Sequence, residues 1–189
     1  MVTLTFTTTS ARAIDRLKAK APIAQARALN RAIASAKTVM VREISQFTSL
    51  EASQVRDKIG VEQARPDRHR ARLSASYKKI PLIQFRATGP EPSRGKGGGV
   101  SATVGGTRSR YPHAFIATMR PSGHRGVFQR YAGVAVKSRD PRTQGIRQRF
   151  GPSIAHVFVK FRAVGLARGE EQLLKNLQSE FRFVLSQTA

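Results

Sequence analysis

The sequence predicts an α+β fold in which long N-terminal and C-terminal helices pack on a central antiparallel sheet with long basic loops. Three patterns predict it. From Ser10 to about Phe47, Ala, Arg and Lys dominate, with one Pro and no Gly, a composition of strong helix formers. Between Val61 and Tyr131, short segments of alternating apolar and polar residues are separated by Gly, Pro and Ser, as in short strands joined by turns. After Gly151-Pro152-Ser153, apolar residues return at a spacing of three or four as far as Val184, the pattern of a second amphipathic helix. At 189 residues, a single domain spanning 1–189 is expected, because domains cluster at roughly 100 to 200 residues.

Taken in order, Val2, Leu4 and Phe6 alternate with Thr3, Thr5 and Thr7, which predicts a strand over 2–7. Ser10 suits the cap of the helix that follows. Ile14, Leu17, Leu29, Ile33, Ala36, Met40, Ile44 and Phe47 form its buried stripe. Pro22 either opens a second segment at its first turn or kinks a continuous helix, since Pro lacks the N–H and crowds the preceding turn. Ser49 is expected to begin a short helix carrying Leu50, Val55 and Ile59, which Gly60 ends. Leu73, Ala75 and Tyr77 then alternate with Arg72, Ser74 and Ser76, and after Pro81 the residues Ile83, Phe85 and Ala87 do the same. Gly89 to Gly99 holds two Pro and five Gly and reads as a loop. Val100, Ala102 and Val104 resume the alternation before Gly105-Gly106, and 114–119 and 127–131 are further strands. Residues 137–149, with five basic residues, read as another excursion. The last helix carries Ile154, Val157, Phe158 and Phe161, and continues or restarts near Gly169 with Leu173, Leu177, Phe181 and Val184. No internal repeat is present.

Charge bounds the function. There are 34 Lys plus Arg against 11 Asp plus Glu, a net charge of +23. Residues 61–150 carry 19 basic and 4 acidic groups, +15 of the total. Single basic runs are ordinarily solvated surface. An excess of this size is self-repulsive, however, and calls for a polyanion or an acidic protein. Arg outnumbers Lys by 24 to 10, which suits bidentate contacts to phosphate or carboxylate. The candidate contact residues are Arg65, Arg68, Arg70, Arg72, Lys78, Lys79, Arg94, Lys96, Arg108 and Arg110, which would face DNA or a neighbouring protein.

Catalytic chemistry has little to stand on. With no cysteine there is no disulfide framework, thiolate nucleophile or Cys-ligated zinc. His69, His113, His124 and His156 are isolated, without the helical spacing of metal ligands. Gly95-Lys96-Gly97 departs from the phosphate-loop spacing and has Gly where a metal-binding hydroxyl belongs. The acids suggest no catalytic pair. No catalytic residue, metal or cofactor is expected. The apolar runs are too short to span a bilayer, and Met1 to Phe6 lacks the layout of a signal peptide, so neither export nor membrane insertion is expected.

Six blocks carry a resemblance. Arg27-Ala28-Leu29-Asn30-Arg31-Ala32, Ile80-Pro81-Leu82-Ile83-Gln84-Phe85, Gly99-Val100-Ser101-Ala102-Thr103-Val104, Ala114-Phe115-Ile116-Ala117-Thr118-Met119, Gly123-His124-Arg125-Gly126-Val127-Phe128-Gln129-Arg130 and Gly151-Pro152-Ser153-Ile154 occur in an order that resembles the minor tail protein Z family of tailed bacteriophages and prophages. The similarity runs from about residue 24 to 158. It implies a non-enzymatic virion protein, a tail-completion or neck component. It further implies a homo-oligomeric ring, expected to be a hexamer, between the head-tail connector and the tail terminator or tube, with double-stranded DNA in its lumen. Assembly in the host cytoplasm and residence in the virion follow from that resemblance. An alternative from another class is a cytoplasmic protein that binds nucleic acid without sequence preference. Asn30 and Arg130 are open to two roles, buried hydrogen-bonding groups or interface contacts.

Overall fold

The structure, a computed structural model, describes residues 8–91, 99–120, 122–131 and 145–187. The strand expected over 2–7 lies outside them, as do Arg94, Lys96 and most of the 137–149 excursion. In chain order the elements are α1 (Thr8–Thr48), α2 (Ala52–Arg56), β1 (Ile59–Glu62), β2 (Arg72–Ala75), β3 (Lys79–Pro81), a 3-10 turn (Leu82–Gln84), β4 (Val100–Val104), β5 (Thr107–Tyr111), β6 (Ala114–Met119), β7 (His124–Tyr131), β8 (Gly145–Gln148), β9 (Phe150–Ser153) and α3 (Ile154–Ser186). The fold class is α+β, as expected. The β-structure is distributed over small antiparallel ladders, β3–β9, β4–β5 and the three-stranded β6-β7-β8, with β1 beside β2.

The chain divides into two compact units. One contains the chain as far as Met40, Ile59–Ser74 and the stretch from Phe161 on; the other contains Val41–Lys58 and Ala75–Lys160. In the first unit, α1 and α3 run antiparallel along a seam of small residues. Ala24, Ala28, Ala32 and Ala36 recur every four residues and are at most 6% exposed. Gly165 lies against Met40 and Gly169 against Ala36. Asn176 Nδ2 reaches the Ala28 carbonyl at 3.5 Å, and Lys20 Nζ donates to Gln187 Oε1 at 2.8 Å. A Cβ on Gly165 would stand 2.5 Å from Met40 Sδ, so glycine there permits the close approach of the helices. Ile59 and Ala64 are also buried. Asn30 clamps the segment after β1: its Nδ2 donates to the Ala64 carbonyl at 3.0 Å, and the Ala64 N–H donates to Asn30 Oδ1 at 2.8 Å.

The second unit has a core of bulky side chains. Ile44, Val55, Leu82, Phe85, Val100 and Val127 are fully buried, and each such burial stabilises by about 1.5–3 kcal/mol. The β4–β5 hairpin closes through the pair Val104 and Thr107. Its two turn residues, Gly105 and Gly106, have φ of +62° and +80°; two successive positive φ values are what a tight hairpin turn matched to strand twist requires.

Several local expectations are corrected. Leu29 and Ile33 are only half-buried, because the alanines beside them occupy the tightest part of the seam. Of the two courses open at Pro22, a continuous helix is the one observed, whereas Ser10 lies within α1 instead of capping it. Ser49 ends α1 rather than starting a helix: its φ of +60° is the left-handed conformation that stops a helix. Gly60 belongs to β1 instead of ending α2. The strand expected after Pro81 is the 3-10 turn, whose three-residue repeat puts Leu82 and Phe85 on one side, both fully buried. Thr107–Tyr111, Gly145–Gln148 and Phe150–Ser153 are strands the alternation did not reveal, because they are short or largely exposed. Of the two courses expected near Gly169, the last helix takes the continuous one and runs through it without a break.

Candidate functional site

The basic candidates among the described residues fall into two groups, one in each unit. Arg65, Arg68 and Arg70 lie in the first unit, with Arg72 opening β2. Arg65 and Arg68 exchange backbone hydrogen bonds of 3.0 Å in both directions, folding this arginine run into a tight turn. Arg68 Nη1 also pairs with Glu62 Oε1 at 2.8 Å, so part of its charge is compensated within the unit. All four side chains are exposed.

Lys78, Lys79, Arg108 and Arg110 lie in the second unit and are exposed. Lys79 is on β3, opposite Ser153 of β9. Arg108 and Arg110, expected in a loop, are on β5. They stand opposite Thr103 and Ser101 of β4, and directly opposed residues share a face of a sheet. Thr88 joins that face through its bridge to Ser101, and Arg108 Nη2 donates to Thr88 Oγ1 at 2.6 Å. The other face of β4 carries Val100 and Ala102, both fully buried. Burial of that face therefore turns the two guanidinium groups outward, with hydroxyls beside them. Chemically, guanidinium and hydroxyl donors side by side are groups that can bind an anion. Among the described residues no cluster of His, Asp or Glu could hold a metal ion.

Other charged groups have structural work that their sequence neighbours did not reveal. Arg31 Nη1 bonds Glu180 Oε1 at 2.8 Å, with Arg27 Nη1 4.0 Å from Oε2. The Glu180 side chain is 7% exposed, so this pairing is what lets α3 carry a carboxylate into the seam. Arg27 and Arg31, one turn apart with no acid nearby on their own helix, were the available signal of a partner on another helix. Arg130 lies over the Phe115 ring at 5.4 Å and Arg149 over Tyr111 at 5.8 Å, geometry that favours a cation. Lys160 Nζ is 3.9 Å from the centre of Phe47. Asn30 is thus a hydrogen-bonding clamp, while Arg130 is exposed on its strand. His156 Nδ1 is 2.7 Å from Ser153 Oγ at the start of α3, a local contact rather than a ligand set. On the exposed face of α3, Lys175 and then Arg168, bonded to Glu171 at 2.6 and 2.7 Å, hold its carboxyl below the ordinary range.

The motif blocks consequently have a structural reading. Ala28 and Ala32 form the helix seam, Asn30 fixes a loop, and Arg27 and Arg31 meet Glu180; Ile80, Leu82 and Phe85 enter the second core. No helix among the described residues is long and apolar enough to cross a membrane. No curated protein and no solved structure matches the chain significantly. The family model of prophage minor tail protein Z, however, matches residues 7–188, extending beyond both ends of the block similarity. The chain therefore belongs to the prophage minor tail protein Z family, a structural family of phage tails.

Proposed function

We propose that the protein is a tail-completion or neck component which acts by assembly and not by catalysis. In this reading the whole chain works as one domain and forms a homo-oligomeric ring, a hexamer, between the head-tail connector and the tail terminator or tube. It assembles in the host cytoplasm and remains in the virion. The carrying observation is the family match over residues 7–188. The charge supports the finer part: six copies of a +23 chain repel one another unless their basic surfaces face a polyanion or acidic neighbours. Arg65, Arg68, Arg70, Arg72, Lys78, Lys79, Arg94, Lys96, Arg108 and Arg110 are proposed to make those contacts with double-stranded DNA or adjoining virion proteins.

Electron micrographs of the purified protein and of particles made with and without it test the reading. Rings, and particles that fail to join heads to tails without the protein, are expected. Protein that never enters a particle overturns it. DNA affinity should fall steeply with salt and hardly vary with sequence; salt-insensitive or sequence-selective binding overturns the DNA contact.

A further inference from the structure

We propose that neighbouring copies in the ring join by a knob-in-groove contact between helical surfaces of the first unit, an inference that rests on the ring reading above. The groove lies between α1 and the end of α3, a cavity of about 360 Å³, in the range of pockets that take a ligand group. Its floor, Ala24 and Val184, is buried, while its walls, Ile23 and Phe183, stay 43% and 52% exposed. Lys20 and Arg27 stand at its rim. Arg31 takes one Glu180 oxygen at 2.8 Å, and Arg27 stands 4.0 Å from the other with its side chain 60% exposed. An apolar groove with a basic rim fits a bulky apolar side chain accompanied by a carboxylate.

The described surface of α3 offers that combination. Leu166 and Leu174 are 53% and 65% exposed, with Glu170 one turn from each, on the same side of the helix. Glu170 is exposed and forms no ion pair among the described residues. Leu174 would enter the groove against Ile23 and Phe183, and Glu170 would meet Arg27 and Lys20. A chain cannot fill its own groove this way: Leu174 and Phe183 are on one rigid helix, about 14 Å apart along its axis. The occupant is a second copy. Because knob and groove are different patches, the contact is head-to-tail and propagates until it closes. The low net charge of the knob's stretch also matters: residues 151–189 carry only +2 of the +23, so the knob brings little repulsion of its own to the basic rim.

The chain has no cysteine, so Ile23→Cys and Ala167→Cys, the latter two turns before Leu174 and about 22 Å along the seam from Ile23 of its own chain, are unique handles. Joined by a short bismaleimide, the double variant should give a ladder of species above the dimer, whereas each single variant should not. A charge swap supplies a second measurement. Glu170→Arg should raise the concentration needed for assembly roughly fivefold, and adding Lys20→Glu should restore it. Rings seen by native mass spectrometry without a ladder or rescue overturn this interface and leave the ring standing. A chain that never assembles, alone or in particles, overturns both. Cross-links from Ile23→Cys to another virion protein assign the groove to that partner and overturn the proposal.

Discussion

The two units solve the burial problem with different side chains. The first relies on Ala24, Ala28, Ala32 and Ala36 along the seam, with Gly169 of α3 against Ala36; the second relies on Ile44, Leu82, Phe85 and Val127. Small side chains give each contact little apolar area, and their benefit is close approach over a long seam. Large side chains gain more from each burial, but only if many short elements converge on them. The difference teaches that a substitution's sign depends on the unit: removing volume should harm the second, and adding volume should harm the first.

Phe85→Ala should break the second core most severely, with a loss of about 3–5 kcal/mol in the midpoint and slope of urea unfolding. Ala28→Leu, at a fully buried position of the seam, tests the reverse case. It should cost about 1–3 kcal/mol by overpacking, and a neutral or stabilising result in the same assay would contradict a close-packed seam. Asn30→Ala leaves the Ala64 N–H and carbonyl without their clamp; a loss of about 1–3 kcal/mol is expected, together with faster amide exchange at Ala64. Gly105→Ala forces a side chain into positive φ and should cost about 1–2 kcal/mol, read as a lower melting temperature. The smallest effect belongs to the exposed Glu171. Its folded pKa is lowered by Lys175 and Arg168, so its stabilisation is present above the ordinary carboxylate value and disappears as pH falls through the lowered one. Carboxyl NMR should show its midpoint move upward in Lys175→Ala.

The sequence patterns exposed the helices and the α+β class because a spacing of three or four persists over many turns. They also located β4 and β6, where apolar alternation coincides with burial. They failed where pairing depends on backbone partners: β5 has mainly exposed polar residues, and its strand character comes from its register with β4. Leu82 and Phe85 were misassigned because a 3-10 turn and a strand can share a short apolar run. For the basic surface, the run at Arg65–Arg72 and the pair Arg108 and Arg110 were visible in composition. Their outward direction was not, since it follows from which face of β4 is buried. The pairing of Arg31 with Glu180 joins positions 149 residues apart, beyond the reach of any local pattern.

The repeated alanines of α1 have a consequence for alignment. A seam marked every four residues resembles a ruler whose marks are identical: sliding α3 by four residues, about 6 Å, would bring Gly165 to Ala36 and Gly169 to Ala32, small residue against small residue again. Charge does not break the tie, because Glu180 already lies beside two arginines four residues apart and would keep one of them. Bulk does: the same slide brings Phe161 to Met40 in place of Gly165, so that one large-against-absent contact is the index pin that chooses the alignment.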